Sequence, residues 1–282
     1  MSGGISALDS VILGVVEGVT EFLPVSSTGH LTAAEGLLGI QVDNPAVTAY
    51  TAIIQFGAIV ATFLYFRADF VRLATAWVGG LTSPERRREP DYRFAWAVIA
   101  GSVPIVVVGL AAKGLVSGPL RNLWVVAGAL IVWSLVMYLA EASAAARTRQ
   151  YTEEELTLRQ VLVIGLFQCV ALVPGVSRSG ATISAGLFQG ATRVAATRLS
   201  FFLAIPALTG AGVYELKDID TSTVGWGTLG IGTLISFIVA YASIAWLLRL
   251  VAKHPITVFI AYRVLAGVTL AALLGAGILS PK

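Results

Sequence analysis

Glu17-Gly18-Val19-Thr20-Glu21-Phe22-Leu23-Pro24-Val25-Ser26-Ser27-Thr28-Gly29-His30 is the stretch that decides how this chain folds. It sits inside an apolar region, about 8–40, long enough overall to cross a bilayer. Pro24, Gly29 and the hydroxyls of Ser26, Ser27 and Thr28 break that region at its middle. Proline and glycine stop a helix, and clustered hydroxyls favour caps over helix interiors. Each flank is then roughly 12–15 residues, short of the roughly 20 needed to cross about 30 Å of hydrocarbon. We expect a re-entrant pair of half-helices that enters and leaves on the same side, with one long kinked span as the competing reading.

A second region, about 160–190, is broken in the same way by Pro174-Gly175-Val176-Ser177-Arg178-Ser179-Gly180. The two correspond at an offset of 151: Glu17-Gly18-Val19 meets Gln168-Cys169-Val170, and Val25-Ser26-Ser27-Thr28-Gly29 meets Val176-Ser177-Arg178-Ser179-Gly180. At the same offset Tyr50-Thr51-Ala52-Ile53-Ile54 meets Phe201-Phe202-Leu203-Ala204-Ile205. Around these regions six apolar stretches read as full spans: about 47–66, 94–112, 121–140, 194–213, 226–248 and 256–279. Each half thus has one broken segment followed by three spans. Three is odd, so the second half must enter the membrane upside down, an arrangement used by proteins whose broken helices meet at midplane.

The expected fold is an all-α polytopic membrane protein. It has six full transmembrane helices, two re-entrant broken helix pairs and an inverted-topology internal repeat. One transmembrane domain covers 1–282, with repeat halves of about 1–140 and 151–282. Composition agrees: 56% of residues are hydrophobic and 12% charged, where soluble domains carry about 25% charged. Cys169 is the single cysteine, so no intrachain disulfide forms. The opening Met1–Ser10 lacks a basic region and does not read as a cleaved signal peptide. Segment 68–81 reads as an interfacial amphipathic helix or a loop.

Charge sets the orientation. Loops 67–93, 141–159, 190–198 and 249–254 hold 13 of the 19 Lys and Arg. Lys113, Arg121, Lys217 and Lys282 fall on the other side. The positive-inside rule makes the arginine-rich loops cytoplasmic, both termini external and the first hairpin open to the outside. We expect a multi-pass membrane protein with an extracytoplasmic site and no nucleic-acid partner.

Ionisable groups in hydrocarbon are costly and are functional suspects. Here they are Glu17, Glu21, His30, Arg178 and Arg263. Glu17 and Glu21, four residues apart, stack on one helix face. Their mutual repulsion needs a shared proton, an arginine or an oxygen-ligating divalent cation. Ser26, Ser27 and Thr28 open a new half-helix whose free N–H groups attract anions. His30 lies one turn beyond Ser27, a spacing that suits a nucleophile with its base. Spacing alone does not say which of the three hydroxyls attacks. Ser177-Arg178-Ser179-Gly180-Ala181-Thr182 presents a guanidinium among hydroxyls at a second half-helix start, and arginine matches phosphate oxygens bidentately. Arg263 either snorkels to the cytoplasmic face or adds a second phosphate contact. A polyphosphate on a lipid suits such a site, its tail in the bilayer and its head among these groups.

At these residues the chain is similar to the bacitracin-resistance family of undecaprenyl-pyrophosphate phosphatases. Glu17 to His30 resembles that family's first motif and Pro174 to Thr182 its second, both without gaps. The resemblance implies hydrolysis of undecaprenyl pyrophosphate to undecaprenyl phosphate and inorganic phosphate. That recycles a lipid carrier for cell-wall polymers and confers bacitracin resistance. It implies a divalent cation, Mg²⁺ or Ca²⁺, at Glu17 and Glu21, with Glu21 also managing protons. It makes Ser27 the nucleophile and His30 its activator. Arg178 with Ser177, Ser179 and Thr182 would hold the pyrophosphate, and Ser26 and Thr28 would line it. A lipid-phosphate flippase or other transporter is the competing class, since broken-helix repeats are a transporter design. The oligomeric state stays open, a homodimer among the options.

Overall fold

The computed structural model describes residues 5–42, 44–216 and 224–281, apart from the side chains of residues 113 and 117. Met1, Lys217 and Lys282, on which parts of the charge and terminus expectations fall, lie outside the described residues, as does the side chain of Lys113. The first broken region forms α1 (Ala7–Thr20) and α2 (Ser27–Leu37), the second α8 (Leu158–Gln168) and α9 (Arg178–Phe188). Between them run α3 (Pro45–Tyr65), α4 (Arg67–Thr82), α5 (Pro90–Ala111), the short α6 (Lys113–Ser117) and α7 (Leu123–Ala145). After α9 come α10 (Arg193–Glu215), α11 (Trp226–Val251) and α12 (Ile260–Gly275). A 3₁₀ turn, Cys169–Leu172, extends α8, and another, Ile256–Phe259, leads into α12.

Six helical stretches are long and apolar enough to cross a membrane: Pro45–Tyr65, Pro90–Ala111, Leu123–Ala145, Arg193–Glu215, Trp226–Val251 and Ile256–Gly275. They coincide with the six expected spans to within a few residues. Local chemistry sets their starts. Asn44 accepts from the Ala46 N–H at 2.9 Å with Pro45 at the first helical position, and Asn122 accepts from the Trp124 N–H at 2.8 Å. Both are side-chain caps that satisfy an otherwise free donor. Segment 68–81 is helical, within α4.

The 14-residue α1 spans about 21 Å and the 11-residue α2 less, so neither crosses alone. α1 packs against α2, and α8 against α9. Members of one continuous kinked span would not fold back on each other, so each region is a hairpin. The packing partners exchange between halves: α1 lies on α11 as α8 lies on α5, while α3 meets α10 and α7 meets α12. Small residues permit the closest approaches, as in membrane bundles generally. A Cβ at Gly14 or Gly18 of α1 would stand 2.7 Å from an α11 atom. The largest buried apolar cluster takes in Leu23, Val25 and Val176 of the two turns, and Phe22, Phe66, Phe201 and Phe202 pack ring to ring within it.

Candidate active site

Both hairpins reverse through a serine that adopts an unusual backbone. Ser26 (φ 77°) and Ser177 (φ 76°) are the positive-φ non-glycine residues among those described, and each is the cap of its half-helix. Such a conformation costs on the order of 1–3 kcal/mol and persists only where surroundings fix it. Here the two turns fix each other. Ser26 Oγ accepts from the Gly175 N–H at 3.1 Å, across the gap between turns. In return Ser179 Oγ donates to the Leu23 carbonyl at 2.9 Å, with Ser177 Oγ near the same carbonyl at 3.4 Å.

Arg263 completes this lock from α12. It is fully buried. Its guanidinium donates to the carbonyls of Pro24 (2.7 Å), Gly175 (2.9 Å) and Val176 (3.2 Å). Both expectations for this residue are therefore corrected: it neither snorkels to a face nor points at a phosphate, because the broken helix ends expose carbonyls that need its donors.

The reactive groups converge on Glu21, at the end of α1. One of its oxygens accepts from Arg178 Nη2 at 2.7 Å. The other accepts from Ser27 Oγ at 2.5 Å and from Gln55 Nε2 at 3.2 Å. A single carboxylate thus holds the serine and the arginine side by side. Five residues of turn separate Glu21 from Ser27, which is why the carboxylate faces the first residue of α2. The pairing expected from the Ser27–His30 spacing does not form. His30 Nδ1 lies 2.7 Å from the Ser26 carbonyl and Nε2 2.6 Å from the Tyr262 hydroxyl, and the two rings stack at 5.6 Å. A carbonyl only accepts, so Nδ1 carries a proton and both ring nitrogens are already engaged.

A cavity of about 250 Å³ opens beside this cluster. Of the sequence-predicted residues it is lined by Glu21, Ser26, Ser27, Thr28, Ser177 and Arg178. Glu17, His30, Ser179 and Thr182 do not line it. Thr182 Oγ1 instead donates to the Arg178 carbonyl at 2.9 Å, steadying the first turn of α9. Glu17 is fully buried, with neither carboxylate oxygen hydrogen-bonded, and lies beside Glu21. Gln55 and Gln168 also line the cavity. Sequence reasoning passed over both because it counted ionisable groups in the membrane and not neutral polar ones. A chamber of about 330 Å³, almost wholly apolar, adjoins the cavity; the two share Ile105, Val116, Leu172, Ala207 and Ala211.

Six spanning helices around two interlocked half-helix hairpins, with an arginine, a carboxylate and a serine on one internal cavity, define a polytopic membrane protein with a polar centre. The chain belongs to the bacitracin resistance protein BacA family, whose model matches residues 10–269. It is 54% identical to undecaprenyl-diphosphatase 3 of Frankia casuarinae over 278 residues, covering 98% of this chain and 99% of that protein. It is 55% identical to undecaprenyl-diphosphatase 1 of Streptomyces coelicolor over 276 residues, 98% of each chain. The undecaprenyl-diphosphatase of Corynebacterium glutamicum is 42% identical over 278 residues, 97% of this chain and 92% of that protein.

Proposed function

We propose that this chain is an undecaprenyl-diphosphatase, hydrolysing undecaprenyl diphosphate to undecaprenyl phosphate and inorganic phosphate. This returns the lipid carrier to cell-wall synthesis and confers bacitracin resistance. The observation that carries the reading is the junction of two unlike spaces: a polar cavity holding Ser27, Glu21 and Arg178, and an apolar chamber sharing its walls. A prenyl diphosphate has the same division. The transporter alternative finds no support among the relatives, each named for a diphosphatase.

Arg178 binds and orients the terminal phosphate, exchanging its contact with Glu21 for phosphate oxygens. Ser27 Oγ attacks the terminal phosphorus while its proton passes to Glu21. The bond from that phosphorus to the bridging oxygen breaks, and undecaprenyl phosphate leaves. Water then hydrolyses the phosphoserine, releasing inorganic phosphate. Glu21 also faces the cavity directly, so water activated at its carboxylate is the second route. His30 holds the Ser26 carbonyl and with it the start of α2, a positioning role. Thr28 and Ser177 line the head group, and Ser26, Ser179 and Thr182 keep the turns in shape.

The proposal includes a divalent cation, Mg²⁺ or Ca²⁺. The unpartnered, buried oxygens of Glu17 and the adjacent Glu21 are the hard donors such ions take. Among the described residues no three acidic, histidine or cysteine side chains converge, so the diphosphate and water would complete the shell. Bound there, the ion would neutralise charge on the phosphate oxygens. We place the arginine-rich loops in the cytoplasm, both termini outside and the cavity mouth on the extracytoplasmic side, on the charge asymmetry of the loops.

Phosphate release from undecaprenyl diphosphate in detergent tests the reading. Wild type releases phosphate with Mg²⁺ or Ca²⁺ and stops with EDTA; a folded protein that releases none under any metal refutes it. Ser27→Ala lowers turnover about a thousandfold, whereas His30→Asn, whose amide N–H can stand in for Nδ1 at the Ser26 carbonyl, loses less. A Ser27→Ala variant within about tenfold of wild type moves the attack to water.

The chamber offers a separate test. Gly210 lines the chamber, and a Cβ there would meet no atom within 4 Å. Gly210→Trp fills part of the chamber and raises KM for undecaprenyl diphosphate by about tenfold. The effect on a short-chain farnesyl diphosphate is smaller. Equal effects on both substrates would remove the chamber from the tail's path.

A further inference from the structure

We infer that Gln168 is a substrate contact, its carboxamide donating to a phosphate oxygen of the diphosphate beside Arg178. The inference rests on the diphosphatase reading above. Gln168 is the last residue of α8, where the helix tightens into the 3₁₀ turn Cys169–Leu172. Its side chain lines the polar cavity together with Glu21, Ser27 and Arg178. It is 0% exposed, and neither Oε1 nor Nε2 has a hydrogen-bond partner.

A buried amide with both polar atoms unpaired carries a desolvation penalty, and an apolar side chain of the same shape would leave the bundle more stable. A ligand that pairs with the amide removes that penalty. Several other buried polar atoms lack partners, those of Ser184, Thr209 and Ser236 among them, but none of these residues lines the cavity. Arg178 Nη1 does share it, and is also buried and unpaired while Nη2 holds Glu21. Two residues on one cavity wall therefore each keep an unpaired N–H donor, one charged and one neutral. A phosphate offers non-bridging oxygens to both at once.

The residue type fits this role. Position 168 is the counterpart of Glu17 at the repeat offset of 151. A carboxylate there would repel the diphosphate, whereas a carboxamide keeps the shape and adds a donor. The two halves thus divide the work: the first keeps its acidic group, and the second presents neutral and positive donors.

Gln168→Leu, Gln168→Met and Gln168→Glu, purified in detergent, decide the matter. The measurements are kcat and KM for phosphate release from undecaprenyl diphosphate, and Tm with and without inorganic pyrophosphate. Gln168→Leu is expected to melt at or above the wild-type Tm, to raise KM at least about tenfold and to lose the Tm rise given by pyrophosphate. Gln168→Glu raises KM further. Wild-type KM with a full pyrophosphate shift in Gln168→Leu overturns the inference, as does a lowered Tm with unchanged KM. Should the leucine variant fail to fold, Gln168→Met, close in volume, takes its place; failure of both makes the residue structural and ends the inference. If wild type releases no phosphate, the diphosphatase reading falls. The pyrophosphate shift then decides Gln168 alone, its loss in the apolar variant sustaining the contact. Absence of any shift and of any release in wild type overturns both.

Discussion

Arg178→Ala cuts phosphate release by about a thousandfold or more, beyond the fall in Tm expected from unpairing the buried Glu21 carboxylate. The side chain is the charged donor on the cavity wall, and its Nη1 is unpaired and buried. Removing it strips the site of the group that meets negative charge, in a space where water compensates poorly. Glu21 keeps its contacts with Ser27 and Gln55, so the turn holds its shape. Arg178→Lys recovers little, because an ammonium cannot span Glu21 and a phosphate with two nitrogens in a fixed fork. Phosphate release under saturating Mg²⁺, with Tm as a check on folding, measures both. Activity of either variant within about tenfold of wild type would remove Arg178 from the chemistry.

The second large effect is on stability. Arg263→Met places an apolar chain where a guanidinium now satisfies the carbonyls of Pro24, Gly175 and Val176. Those acceptors belong to turn backbone that has no helical partner for them. Leaving them unpaired in a buried site costs on the order of 3–5 kcal/mol. We expect a large fall in Tm in detergent and loss of activity with it, since the same turns carry Ser27 and Arg178. Arg263→Lys, with one point of charge for carbonyls on two turns, restores only part of the loss. A methionine variant with wild-type Tm would show that the lock is not needed.

Much of this was legible in the sequence. Hydropathy marked the six spans because hydrocarbon demands about twenty apolar residues whatever the tertiary context. Pro24 and Pro174, each followed within a few residues by hydroxyls and glycine, marked the breaks for equally local reasons. Glu21, Ser27 and Arg178 stood out because charge and hydroxyl clusters are rare in such segments. What sequence could not supply was direction. The spacing of Ser27 and His30 puts them on one helix face, but the imidazole turns to α12, where Tyr262 lies more than two hundred residues along the chain. Arg263 read as a surface or phosphate-binding arginine because the carbonyls it holds exist only once both turns have met. Gln55 and Gln168 carried a usable signal, amides inside apolar segments, and Gln168 even stood at the counterpart position of Glu17.

The reciprocal bonds between the two turns bear on the timing of biosynthesis. Ser26 leans on Gly175, Leu23 receives Ser179, and Arg263 ties Pro24 to Gly175. A nascent chain that has inserted only its first half holds Glu21 and Ser27 but lacks every one of these partners. The first turn is therefore locked in two stages, by Gly175 and Ser179 when the second hairpin arrives and by Arg263 when α12 enters the bilayer. The lock is complete only with residue 263 in place, so truncated chains that stop short of it are expected to release no phosphate.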